Sequence, residues 1–282
     1  MEKVDMRVAT WNLKQAVAPR KSVPELLDWA DAEIQADVYV FTEAKVTPGV
    51  DSRLRYQWSP EGVYPDKANK WGTVLATRSA DIREVTQVRT RLKSRKLEFE
   101  WPAAVQICDV LQNGERWATL VGLYAVTRDQ RGENIGSGTY SFPRLMSQLE
   151  ALLGSDRGDR LILAGDFNLW PGHVSGELKK HGLVDLIEAT SSTRPPLENC
   201  QDCEYFAGTK RQSLKCGHLF THRNGMKPKP GKKFGGMIQQ IDYVAASPDM
   251  VRRVERVFGG EAAFPGIWEL SDHAPVVVDF KD

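Results

Sequence analysis

Short apolar runs that each close on a polar residue constrain this chain more than any other feature. Residues 7–11 (RVATW) read as a buried strand followed by Asn12, and 38–41 (VYVF) as a second followed by Thr42 and Glu43. Between them Leu26, Leu27, Ala30 and Ile34 recur at helical spacing over 24–34, with Ser22 placed to cap the helix. Strand, helix and strand in the first 43 residues make an α/β opening. Further strands are expected at 73–77, 103–110 and 117–124, then a Gly-rich loop over 128–139. A helix over 143–153 carries Pro143 in its first turn and Leu145, Leu149, Leu152 and Leu153 on one side. Residues 161–164 (LILA) are the plainest buried strand and stop at Gly165-Asp166; strands at 240–245 and 275–280 complete the pattern.

The stretch 194–236 breaks this rhythm, being rich in Cys, Lys, Gly and Pro without periodicity. A loop that long is usually functional, metal-bound or without fixed structure. No repeat or linker divides the chain, so one catalytic-type domain is expected over 1–282, with a Cys/His- and Lys-rich insert at about 194–236. A 41% hydrophobic chain of 282 residues buries enough surface to fold without a disulfide. With 38 basic and 37 acidic side chains, bulk charge does not mark a nucleic-acid binder, and anion attraction has to come from local patches. No run approaches the ~18 apolar residues of a membrane span, and residues 1–7 precede no apolar signal core. The expectation is a cytoplasmic protein with no membrane span.

Polar residues collect at the strand ends, where a sheet aims them into one cleft: Asn12, Glu43, Tyr124, Asp166 with Asn168, Asp242, and Asp272-His273. Carboxylates beside amides and an imidazole are what hydrolysis of a phosphate ester uses. Carboxylate oxygens hold a hard cation such as Mg²⁺, which neutralises phosphoryl charge while a base orients water. Such a site accepts Mn²⁺ as well. Each residue also has a plainer reading. Gly165-Asp166-Phe167-Asn168 has turn composition, and Tyr124 suits a sheet core.

Together, Thr10-Trp11-Asn12, Phe41-Thr42-Glu43, Gly165-Asp166-Phe167-Asn168, Ile241-Asp242-Tyr243 and Ser271-Asp272-His273-Ala274-Pro275 outweigh those readings. In this order and spacing they resemble the endonuclease/exonuclease/phosphatase superfamily, over residues 7–280. That group includes pancreatic-type deoxyribonucleases, abasic-site endonucleases, neutral sphingomyelinases and inositol-polyphosphate 5-phosphatases. The resemblance implies an α/β (α+β) four-layer sandwich, two packed mixed β-sheets flanked by helices, with the active site at one edge. It implies Glu43 as the main ligand of Mg²⁺ or Mn²⁺, supported by Asn12 and Asp272. Asp166 would activate the water or protonate the leaving oxygen, and Asn168 would hold the phosphate. His273 would hydrogen-bond the phosphoryl oxygen or the nucleophile, with Asp242 behind it; a carboxylate so placed orients an imidazole and raises its basicity. Tyr124 matches a tyrosine of the abasic-site enzymes. Two departures leave the branch open: Lys14 stands where those enzymes carry aspartate, and 125–132 (AVTRDQRG) lacks their Pro-Asn.

A second constellation lies in the insert: Cys200-x2-Cys203, then Cys216-x-His218, with His222 four residues on. A structural zinc wants four sulfur or nitrogen ligands, and either His218 or His222 would complete this set. Free thiols and surface histidines in a loop are the alternative. Basic residues also gather there, and Lys14, Arg128, Lys232 and Lys233 are the expected phosphate or nucleic-acid contacts. The reading is a Mg²⁺-dependent nuclease, with DNA favoured over RNA. A phospholipid or inositol-phosphate hydrolase keeps the chemistry, but the hydrophilic insert lacks the apolar segment a lipid enzyme wants. A non-catalytic binding module is the third reading, disfavoured because the set of polar residues is complete.

Overall fold

The computed structural model describes residues 5–14, 23–45, 54–59, 62–63, 71–90, 93–129, 133–135, 138–194, 217–223 and 238–281. The strands of the first half are β1 (Met6–Asn12), β2 (Val38–Ala44), β3 (Arg55–Trp58), β4 (Gly72–Thr77), β5 (Asp81–Glu84), β6 (Gln87–Arg89), β7 (Ser94–Lys96), β8 (Val105–Gln112) and β9 (Glu115–Tyr124). Those of the second half are β10 (Leu161–Asp166), β11 (Val184–Asp185), β12 (His222–Arg223), β13 (Ile238–Gln239), β14 (Asp242–Ala246), β15 (Val254–Gly259) and β16 (Val276–Phe280). Among the helices are α1 (Val23–Glu33), α2 (Ser141–Gln148), α3 (Glu150–Leu153), α4 (Pro171–Lys180) and α5 (Leu186–Ala189).

Two six-stranded mixed sheets form, in the orders β15-β16-β1-β2-β4-β3 and β11-β14-β10-β9-β8-β5. The alternation of strand residues explains how they pack. In β2, Val38 and Val40 join the cluster shared with Ile107, Leu120 and Val121 of the other sheet. Tyr39 and Phe41 point the other way, against Leu26, Leu27 and Ala30 of α1. The sheets approach closely at Gly122, where a Cβ would meet Leu75 Cδ2 and Thr73 Cγ2 at 2.8 Å. Phe142, Leu145 and Met146 of α2 and Val174 and Leu178 of α4 complete the larger cluster. The expected pair of mixed sheets flanked by helices is what the chain forms.

Each sheet contains one parallel pair, β1 with β2 and β9 with β10. Their carboxyl ends deliver Asn12, Glu43, Tyr124 and Asp166 to the same edge, the usual ligand edge of an α/β sheet. Antiparallel neighbours reach that edge with their amino ends. Asp242 pairs with Asp166, and Val276 pairs with Thr10, just beyond His273.

The expected helix over 143–153 is divided at Leu149 into α2 and α3. The strands that the apolar pattern missed, such as β3 and β5, are sheet edges with mixed or exposed residues. The insert is not uniformly irregular, because residues 217–223 supply β12; 195–216 and 224–237 lie outside the described residues, as does Ser22. Among the described residues no helix is long and apolar enough to cross a membrane.

Candidate active site

The two sheets meet chemically at Asn12. Its Nδ2 donates to Asp166 Oδ2 at 2.9 Å and to Glu43 Oε1 at 3.2 Å, while its Oδ1 accepts from Lys14 N at 2.8 Å. Asp166 accepts further bonds from Asn168 N at 2.8 Å and Asn168 Nδ2 at 3.3 Å. Asn168 Nδ2 also donates to Ala125 O at 2.9 Å, so here this amide orients Asp166. The local backbone is unusual: Lys14, Glu43 and Asn168 have φ of 49°, 47° and 48°. Left-handed conformations are uncommon outside glycine and gather at functional sites. Gly165, at φ 148°, precedes Asp166, and a Cβ there would overlap the Leu123 carbonyl.

Across the cleft floor, His273 Nδ1 lies 2.8 Å from Asp242 Oδ2, and both residues are buried. Several groups hold this pair. Thr221 Oγ1 accepts from Ile241 N and Asp242 N, each at 3.1 Å. Trp11 Nε1 donates to His273 O at 2.9 Å, and Ser271 Oγ accepts from His273 N at 3.1 Å while donating to Asn12 O at 2.9 Å. Ligand atoms of Asp166, Asp242 and His273 all fall within 4.8 Å of one another.

Burial alone would push the His273 imidazole down. The Asp242 charge and hydrogen bond, helped by Asp166 and Asp272, outweigh it and hold the imidazole up at about 10. Asp166 is raised well above the ordinary carboxylate range, first by burial and then by the Asp242 charge; its N–H donors and His273 pull the other way. Negative charge is therefore in excess. Among the described residues Asp242 Oδ1 and Asp272 Oδ1 are buried without a hydrogen-bond partner. A buried carboxylate oxygen left so is costly, and a hard, oxygen-seeking divalent cation is the group that suits it. Lys14 Nζ, 2.7 Å from Asp272 Oδ2, neutralises only part of this cluster.

Tyr124 is buried opposite Asp166 in the sheet register, its ring edge-on to Trp71 at 5.1 Å. Arg128 is exposed on the following loop, in a backbone bridge to Asn134. The two histidines of the expected zinc set do not share surroundings. His218 lies in the field of Glu188 and Arg194, whereas His222 Nδ1 is 3.1 Å from Gln239 Nε2 and its ring lies 4.5 Å from that of His273. Cys200, Cys203, Cys216, Lys232 and Lys233 lie outside the described residues. Sequence reasoning missed the supporting roles of Thr221, Ser271 and Trp11. The last two sit inside the recognised motifs, but nothing in the insert singles out Thr221.

The Endonuclease/Exonuclease/phosphatase family matches residues 9–273. No curated protein matches the sequence. Among solved structures, the endonuclease domain of TRAS1, a telomere-specific non-LTR retrotransposon, is similar at 14% identity, 98% of this chain, 99% of that chain and a TM-score of 0.59. The 3′ phosphatase NExo from Neisseria, bound to a product DNA hairpin, gives 18%, 98%, 100% and 0.60. AP endonuclease LMAP from Leishmania major gives 13%, 98%, 88% and 0.61. At such identities these structures establish the fold, while the family match, spanning the whole constellation from Asn12 to His273, establishes the lineage. The chain belongs to the endonuclease/exonuclease/phosphatase family, whose members are hydrolases of phosphoester bonds.

Proposed function

We propose that this protein is a divalent-cation-dependent phosphodiesterase that hydrolyses nucleic acid, DNA by preference. The observation that carries the reading is the buried Asp242–His273 pair set against Asp166, with Asp242 Oδ1 and Asp272 Oδ1 left without a partner among the described residues. Glu43 and Asp272, with Asn12 beside them, would hold Mg²⁺ or Mn²⁺, which supplies positive charge to the phosphoryl oxygens when bound. Because Nδ1 of His273 is turned to Asp242, its Nε2–H is the group offered to a phosphoryl oxygen. Asp166, its carboxyl raised chiefly by burial, takes the proton of the attacking water or gives one to the leaving oxygen. Asn12 and Asn168 hold Asp166 in place for that transfer. The solved relatives named as endonucleases, and the one bound to a DNA hairpin, support nucleic acid as the substrate class.

Incubation with supercoiled plasmid, linear duplex, single-stranded DNA and RNA in Mg²⁺ or Mn²⁺ tests this. Cleavage abolished by EDTA, Asp166→Asn and His273→Ala is the expected result. Inertness toward all four with turnover of sphingomyelin or inositol phosphates would overturn the nucleic-acid assignment.

The zinc expectation stands as a proposal on Cys200, Cys203, Cys216 and a histidine. The Gln239 contact of His222 favours His218 as the fourth ligand. Stoichiometric zinc in purified protein, lost in Cys203→Ser, is the expected result; zinc-free folded protein would remove it.

A further inference from the structure

His222 has no role in the chemistry above, yet the backbone delivers it to the same place. Strand β12 lies between β13 and the His273 segment. Thr221 N donates to Gln239 O at 3.1 Å, Arg223 N to Asp272 O at 2.8 Å, and Ala274 N to Thr221 O at 2.7 Å. His222 pairs with Gln239 on one side and with His273 on the other. Directly opposed strand residues share a face, so the three side chains stand in a row.

Donor and acceptor chemistry permits one arrangement of that row. Indole Nε1 of Trp170 only donates, and it meets Gln239 Oε1 at 3.2 Å. The amide nitrogen of Gln239 is thereby turned to His222 Nδ1, 3.1 Å away, which has to accept. The imidazole hydrogen of His222 therefore resides on Nε2, which has no hydrogen-bond partner among the described residues. The ring is tilted at 43° against the His273 ring, 4.5 Å between centroids. Packing alone would be served as well by a phenyl ring. What the Trp170–Gln239 relay adds is a fixed N–H donor beside His273.

We infer that His222 contacts the substrate phosphate, donating Nε2–H to a non-bridging oxygen of the phosphoryl group that His273 faces. Gln239 and Trp170 are positioning residues that set its tautomer. The inference rests on the phosphodiesterase reading of the same cleft. Two probes separate their fates: calorimetric binding of inorganic phosphate in Mg²⁺, and hydrolysis of bis(4-nitrophenyl) phosphate.

His222→Phe keeps the ring packing and removes the donor. It is expected to melt with wild type, weaken phosphate binding about 10-fold and lower kcat by a similar factor, the scale of one hydrogen bond to a charged group. His222→Gln, which restores an N–H, is expected to recover most of both. Unchanged phosphate affinity and kcat in His222→Phe, with hydrolysis still abolished by Asp166→Asn, would overturn the inference and leave the phosphodiesterase reading intact. Phosphate binding that depends on His222 in a protein that hydrolyses no phosphodiester would keep the inferred contact and sink that reading. A wild-type protein that binds no phosphate overturns the contact itself.

Discussion

Asp109 and Asp279 are as deeply buried as Asp166 and Asp242, but the two pairs live in opposite surroundings. At the far end of the sandwich both carboxylates are answered by arginines. Asp109 accepts from Arg157 Nε at 3.0 Å, Arg157 Nη2 at 2.8 Å and Thr119 Oγ1 at 2.7 Å. Asp279 accepts from Arg7 Nε at 2.6 Å and Nη2 at 3.2 Å, with Arg256 nearby. These bidentate forks suit a carboxylate and close it. At the cleft end Asp166, Asp242 and Asp272 share the field of the His273 imidazole, Lys14 pairs with Asp272, and two buried carboxylate oxygens have no hydrogen-bond partner among the described residues. One arrangement closes on itself; on the proposed reading the other is completed by a divalent cation. Burial alone does not make a carboxylate functional; on the proposed reading the distinguishing mark is a buried oxygen with no partner among the described residues.

The sharpest way to break this contrast is to neutralise a carboxylate at each end. Asp166→Asn is expected to lower kcat by about 10³-fold or more, on the scale of removing a general acid–base group. Its melting temperature should hold or rise, because a buried charge among like charges is relieved. Unimpaired turnover in this variant would place proton transfer elsewhere. At the far end Arg157→Met leaves Asp109 without its fork. We expect a loss of about 2–4 kcal/mol by denaturant unfolding, reduced from the usual cost of breaking a buried pair because Arg157 keeps some water contact. The folded fraction should turn over at the wild-type kcat. A large kcat effect in Arg157→Met would dissolve the distinction between the ends.

Divalent cations sharpen it further. At 100 times its Kd, Mg²⁺ or Mn²⁺ is expected to stabilise wild type by about 2.7 kcal/mol through linkage. Glu43→Gln and Asp272→Asn should respond far less, as thermal melts with and without EDTA will report.

Asp185 gives the most selective test. It is buried at the start of α5, accepts from Ile187 N at 2.8 Å and Glu188 N at 3.4 Å, and its carboxyl is raised to about 7, chiefly by burial. An acid whose folded pKa exceeds its unfolded value stabilises the fold below the unfolded pKa and loses that contribution as pH rises through the folded one. Wild type should therefore lose stability relative to Asp185→Asn between about pH 4 and 7, with a slope of at most about 1.4 kcal/mol per pH unit. Parallel pH profiles of the two proteins would contradict the assignment. Activity should be unaffected, since a raised carboxyl marks a functional site only in the right company.

The cleft was more legible than the closed end because its residues sit at the ends of apolar strands, in short motifs. Asn12, Glu43, Asp166 and Asp242 could be read with neighbours no more than three positions away. The Arg7–Asp279 and Arg157–Asp109 pairs join residues 272 and 48 positions apart and leave no local trace. Edge strand β5 was invisible for a different reason, since its residues are mostly exposed and carry no apolar run. His222 was legible only as one of a cluster of metal-binding residue types. Its proximity to His273 arises from backbone pairing between residues 51 positions apart, which spacing within the insert cannot express.

The most direct measurement is Mn²⁺ binding followed by electron paramagnetic resonance on wild type, Glu43→Gln, Asp272→Asn and Asp185→Asn. Saturable binding in wild type and Asp185→Asn, lost or strongly weakened in Glu43→Gln and Asp272→Asn, is the expected result. Absence of saturable binding in folded wild type, or binding indifferent to Glu43 and Asp272, would contradict the proposal that these two carboxylates hold a cation.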